Sequence, residues 1–348
     1  MNTPTILMMK PVHQLPFFSL RQNACTLVCL LIFLLSVVSV SAQQSSDFGW
    51  AHRYGGTGHD QGKSLQADNN GNTYLAGSFQ DSLALDTTGI VLHSLGGTDA
   101  LLAKFNPAGR AVWAKNIGGT GQETGIKVLL DKLGNLYITG SFTSPIITID
   151  TITLTNPDTS GTEIFLAKFD TAGTLLWAKS MGAAGNDLPT ALGADGFGNS
   201  YLSGYFSAAS ITFDTTILNS KGDEDFFLAK HNSAGSLLWA VQSGSPMHDR
   251  STALAVDSLG NCLLTGYFTG DTLFFASDTL RHSDSLASPD IFLLKYNAQG
   301  VEEWAKSAGT DSADISTGIN LDADGFIYLA GKTHGAQLLF DSVKVINT

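Results

Sequence analysis

Five tryptophans divide this chain into equal lengths. Trp50, Trp113, Trp177, Trp239 and Trp304 are each followed by alanine, and they are spaced 63, 64, 62 and 65 residues apart. A second marker, Asp-x-x-Gly-Asn, opens at Asp68, Asp131, Asp195 and Asp257. It returns at Asp322, where Phe326 replaces the asparagine, with the same four spacings. A third, of the form Ile164-Phe165-Leu166-Ala167-Lys168, places its lysine at Lys104, Lys168, Lys230 and Lys295. Three markers in one register mean that one structural unit recurs, which few folds can accommodate.

The unit reads as β. Asn135 to Phe142 is rich in β-branched and aromatic residues and is bounded by turn residues. No sustained helical stripe appears after the N-terminal segment. Four strands per unit are expected, illustrated by Ile126–Leu130, a second strand ending at Phe142, Glu163–Phe169 and Thr174–Ser180. An added hairpin is expected over Ile146–Thr155. Asp131 to Gly134 and Asp170 to Gly173 read as tight turns, with Asp accepting backbone N–H bonds and Gly accepting positive φ. Asn106 to Gly109, Asn232 to Gly235 and Asn297 to Gly300 repeat that chemistry. These loops supply too few alternating oxygen ligands for an EF-hand-type Ca²⁺ loop.

A four-stranded sheet with two apolar faces cannot bury both alone, whereas sheets stacked in a ring bury both. The expectation is an all-β protein, a β-propeller of five blades of about 63 residues, with each fourth-strand tryptophan buried between blades. The repeat units fall at 55–117, 118–181, 182–243, 244–308 and 309–348.

The combination Gly-Asn-x-Tyr-x-x-Gly-x-Phe, Asp-x-Phe-Leu-Ala-Lys and Gly-x-Leu-x-Trp-Ala-Lys resembles the SBBP-type β-propeller repeat of secreted Bacteroidetes proteins, over residues 49 to 345. The resemblance implies a secreted or surface propeller and says little of activity. Such proteins often end in a C-terminal sorting domain, which the repeats here do not lead into. The lone strand around Trp50 is expected to close the ring, residues 48–54 pairing with the sheet of residues 318–333. The fifth repeat stops where its third strand should begin, so the chain reads as incomplete at its C-terminus.

The N-terminus has its own logic. Lys10 and Arg21 precede an uncharged run of 17 residues, Ala24 to Val40, followed by small residues at Val40-Ser41-Ala42. This reads as a secretory signal peptide, residues 1–42, with residues 43–348 as the repeat domain and no integral membrane segment left after cleavage. Removing two basic residues takes the formal charge from −12 to −14, which disfavours nucleic-acid partners, since phosphate contacts need Lys and Arg. It also removes Cys25 and Cys29, leaving Cys262 without an intrachain disulfide partner.

Each repeat carries one acid before its first strand: Asp60, Glu123, Asp187, Asp249 and Asp314. In a propeller these would ring the mouth of the channel. One use is a cation or cationic-ligand site, with Ca²⁺ the candidate ion. The other is a local one, each carboxylate accepting backbone N–H bonds in its own loop, and repetition favours it. His59 and His248 precede two of the acids, but the histidines lack zinc spacing. No nucleophile elbow or phosphate loop occurs. Polar positions that repeat, without a unique cluster, point to a non-enzymatic binding, adhesion or scaffold module for an extracellular glycan or protein. The competing reading is a polysaccharide hydrolase or lyase using acids at the channel mouth.

Overall fold

A computed structural model describes residues 50–85, 89–158, 161–275, 279–283, 288–322, 324–340 and 343–346. The expected signal segment, residues 1–42, lies outside them. Residues 52–348 fall in one unit; a second, residues 11–51, lies almost wholly outside the described residues. Among the described residues there are strands and no helix, and so none long and apolar enough to cross a membrane.

Among the described residues the fold is all-β and the paired strands run antiparallel, with isolated parallel bridges such as Thr162 to Asn186 joining neighbouring repeats. In repeat two the strands are Glu123–Leu130, Asn135–Phe142, Glu163–Asp170 and Leu175–Met181, with the added hairpin Ile146–Ile149 and Ile152–Thr155. These ends agree with the sequence expectation to within a turn. Repeats one to four each form a sheet in the order first, second, third, fourth strand. Repeat five contributes Asp314–Leu321, Ile327–Thr333 and the hairpin Gln337–Phe340 and Val343–Ile346.

The turns form as their chemistry demands. Asp131 Oδ1 accepts the N–H groups of Leu133 at 2.9 Å and Asn135 at 2.7 Å, and its Oδ2 accepts the Asn135 amide at 2.7 Å. Gly134 sits at φ 81°. Asp68, Asp195 and Asp257 repeat the arrangement. These aspartates brace turns.

Alternation then assigns the two faces of each sheet. Phe165, Ala167 and Phe169 join one core with Tyr74, Ala100 and Leu102 of repeat one. Ile164 and Leu166 join another with Leu202, Phe206 and Phe227 of repeat three. Repeats three and four meet through Phe226, Leu228, Leu264 and Phe292, and repeats four and five through Ile291, Ala308, Leu329 and Leu338. Each third strand is therefore buried on both sides, as interior strands of layered sheets are. The added hairpin guards an edge: Ile147 to Ile149 of repeat two pair with Ile117 to Gly119, the end of repeat one's fourth strand. Unpaired edges are otherwise templates for aggregation.

Two expectations are corrected. The fourth-strand tryptophans are half-buried, not core. Trp177 lies across the next repeat's turn, donating from Nε1 to Ser233 O at 3.1 Å, and Trp239 does the same to Ala298 O at 3.1 Å. A ring whose N–H must reach a turn carbonyl stays at the rim. The closing strand is not made either. Residues 48–49 lie outside the described residues, and residues 50–54 form no β-bridge. Tyr54 instead stacks on Phe105 of repeat one, 4.9 Å between centroids, and donates its hydroxyl proton to Gly109 O.

The Trp–turn contact is testable. Gly235 has φ 85°, and a Cβ there would lie 2.8 Å from the Trp177 ring. Gly134 has φ 81° but open space around a Cβ. Gly134→Ala should cost about 1–2 kcal/mol, the backbone penalty of left-handed geometry. Gly235→Ala should cost more, because the indole must also move. Urea unfolding midpoints at unchanged slope read both; equal losses would contradict the contact.

Candidate functional site

The five sequence-predicted acids are used locally. Gly56 N–H donates to Asp60 Oδ2 at 2.8 Å, Gly119 N–H to Glu123 Oε2 at 2.9 Å and Ala183 N–H to Asp187 Oδ2 at 2.8 Å. Ser245 N–H and Thr310 N–H donate to Asp249 and Asp314 in the same way. Glu123, Asp187, Asp249 and Asp314 are fully buried. Among the described residues no group of three or more acidic, histidine or cysteine side chains is arranged to hold a metal ion.

A second set of acids, which sequence reasoning passed over, faces them. Glu163, Asp225 and Asp290 open their third strands and Asp99 holds the matching place inside the longer strand Ile90–Phe105, the four spaced 64, 62 and 65 residues apart. That periodicity was the available signal. Backbone pairing brings the two sets together: Asp187 N–H donates to Thr162 O at 2.9 Å and Asp249 N–H to Glu224 O at 2.8 Å, one residue before the partner acid. Glycine makes room for the meeting, since a Cβ on Gly182 would collide with both Glu163 and Asp187.

These junctions put carboxylates side by side away from water. Burial, aided by Asp187 and Asp158, pushes Glu163 up to about 8. Burial pushes Asp187 to about 7 against the Ala183 N–H bond, and Asp249 to about 7 against the Ser245 N–H bond. Asp99, Glu123, Asp225, Asp290 and Asp314 are raised by burial as well. Glu163 Oε2 and Asp187 Oδ1 accept no hydrogen bond from the protein. Burial of these carboxylates disfavours their charged forms, so each junction holds onto its protons above the ordinary carboxylate range.

The concave surface lies elsewhere. Residues from all five first strands line one cavity of about 270 Å³, among them Gln66, Leu129, Leu192, Leu254 and Ile319. Hydroxyls tie neighbouring first strands together around it: Thr190 meets Ser251 at 2.9 Å and Thr252 meets Ser316 at 3.0 Å. Lys127 and Thr252 also line a second, shallower chamber of about 430 Å³. Lys63, Thr190, Arg250, Tyr205 and Tyr267 complete the wall of that chamber. Arg250 immediately follows Asp249, so strand alternation sends the acid into the junction and the arginine to the chamber. The Arg250 guanidinium lies 4.3 Å from the Tyr205 ring centroid. It is forked onto Glu224, Nη2 to Oε1 at 2.7 Å. His248, singled out in the sequence, sits 3.3 Å from the same glutamate. Cys262 is a buried free thiol, pushed up to about 12 by that burial.

No protein-family model matches the chain. It is similar to an uncharacterised WD repeat-containing protein of Acanthamoeba polyphaga mimivirus, 22% identical over 320 residues, covering 75% of this chain and 23% of that one. It is also similar to the regulatory protein FlaEY of Caulobacter vibrioides, 30% identical over 113 residues, covering 32% of this chain and 12% of that one. The chain spans less than a quarter of the length of either relative.

The junction acids set the pH response. Their ordinary values are 3.8 for Asp and 4.5 for Glu, and the folded values of Glu163, Asp187 and Asp249 lie near 7 to 8. A raised folded value means stability fully present below about pH 4 and lost as pH rises through 7 to 8. Each proton retained on folding costs about 1.4 kcal/mol per pH unit across that window. Glu163→Gln removes one such proton. It should raise the melting temperature at pH 8.5, leave it nearly unchanged at pH 5, and flatten the pH dependence between; an unaltered slope would contradict the assignment.

Proposed function

We propose that this chain is an exported, non-enzymatic β-propeller whose five repeats act as blades, and that it serves as a binding, adhesion or scaffold module. Alternate residues of each third strand face opposite neighbours, and five first strands line one cavity; both features suit blades stacked about an axis. The similarity to a WD repeat-containing protein agrees with that architecture. The single observation that carries the functional reading is the burial of the repeated acids. Glu123, Asp187, Asp249 and Asp314 are each 0% exposed, and carboxylates committed to packing between repeats support a binding reading over one in which they act on a substrate. Catalytic constellations need different groups in different roles, and here the junctions repeat one arrangement. The extracellular ligand, a glycan or a protein, would then meet the chamber between the first strands.

Export follows from the Ala24–Val40 run and the small residues after it. Protein recovered from the medium or surface of an expressing cell should begin at Gln43 by intact mass and N-terminal sequencing; recovery of the uncleaved chain in the cytoplasm would overturn this part. Binding without turnover should appear as retention on a glycan array with no released product on chromatography of the same glycans. Release of shortened saccharide would favour the hydrolase or lyase instead.

A further inference from the structure

The shallow chamber that shares Lys127 and Thr252 with the cavity between the first strands departs from the rest of the protein in charge. The chain carries 19 Lys and Arg against 31 Asp and Glu. The chamber wall nevertheless holds Lys63, Lys127 and Arg250 and no acidic residue. Its cations come from three different repeats and stand at positions where the repeats differ. Lys63 corresponds to Ile126, Thr190, Thr252 and Thr317, and Lys127 to Ser64, Ala191, Ala253 and Gly318. The junction acids recur in every repeat because every junction needs them; these cations do not recur, so the repeat's own packing does not call for them.

Their chemistry is available to a ligand. Arg250 is already forked onto Glu224, which fixes its plane over Tyr205. Lys63 and Lys127 have no ion-pair partner among the described residues. Tyr205 and Tyr267 occupy matching places beside Leu188 and Arg250 on neighbouring second strands, where repeats one and two have Ser78 and Ser141. Two half-buried tyrosine rings offer flat apolar faces with polar tips. A chamber of about 430 Å³ falls inside the roughly 300–1,000 Å³ range of small-molecule sites.

We infer that this chamber binds an acidic saccharide, its carboxylate held by Lys63 and Lys127 and its ring face laid on Tyr267. A sugar acid fits better than a densely charged polymer. The net charge of −12 repels a polyanion that extends past the chamber, whereas one carboxylate per ring is met by the local cations and the remaining ring surface by Tyr267. The inference rests on the binding-module reading and names its ligand class.

Calorimetric titration of the purified full chain with tri-galacturonate and with neutral galactotriose tests it. Tri-galacturonate should bind at least tenfold more tightly than galactotriose at 50 mM salt and lose most of that margin at 500 mM, because the attraction between exposed charges is screened. Lys63→Ala with Lys127→Ala should abolish the margin, and Tyr267→Ala should weaken both sugars. Matched circular dichroism and melting temperatures show that each variant folds. Equal affinity for the two sugars, an unchanged margin in the double variant, or preference for single-stranded DNA over the uronate would overturn the inference. Capture of another glycan independent of Lys63 and Lys127 would overturn it while leaving the module reading standing; failure to bind any glycan or protein ligand would sink both.

Discussion

Phe165, Ala167 and Phe169 belong to a core shared with repeat one, while Ile164 and Leu166, lying between them in sequence, belong to a core shared with repeat three. Everything else in the structure follows from that division. A sheet with two apolar faces has no stable existence by itself, so each repeat is held by its neighbours and lends them its own faces. Fully burying one such phenylalanine is worth about 1.5–3 kcal/mol relative to leaving it in water. Third strands in repeats two to four repeat the pattern. Stability therefore accumulates at the contacts between repeats, which is where the fold also spends its polar residues.

Those polar residues show what the contacts require. Lys230 reaches out of its own sheet to Ala298 O at 3.1 Å, with its ammonium 4.8 Å from the Tyr201 ring centroid and 3.3 Å from Asp195 Oδ2. Lys168 and Lys104 make the corresponding bonds to Ser233 O and Thr171 O. Lys104, Lys168 and Lys230 are thus straps between repeats, Asp195 an anchor for Lys230, and Trp177 and Trp239 covers over the next repeat's turn. The two sets of buried acids do comparable service at the other end of each junction. Residues that recur in register are accounted for by assembly, which turns attention to those that do not recur: Lys63, Lys127, Tyr205, Arg250 and Tyr267. An asymmetric lining on a repetitive frame is the arrangement expected where loop and strand-end variation supplies function and the scaffold supplies rigidity.

Local chemistry was readable in advance. Strand positions followed from alternation, and turns such as Asp131 to Gly134 followed from an aspartate that bonds N–H groups two and four residues on. The acids before each first strand were legible as loop braces for the same reason, since their donors lie four residues away. What escaped was everything that needed a partner from another repeat. Glu163 is unremarkable until Asp187 is placed beside it. Trp177 reads as core until the turn at Ser233 shows that its N–H is wanted at the rim. The strand expected around Trp50 had a suitable sequence, yet residues 50–54 form no β-bridge, and Tyr54 packs on Phe105 of repeat one instead.

By itself the sequence determined the period of the repeat, its antiparallel β character, the turns and the acidity of the chain. Each depends on spacing, side-chain shape or charge within a few residues. Tertiary structure decided which carboxylates meet, how deep the tryptophans lie and where cations gather in an acidic protein. Those depend on which groups far apart in the chain are brought together and how far water is excluded from between them, since electrostatic interaction is set by separation and local dielectric together.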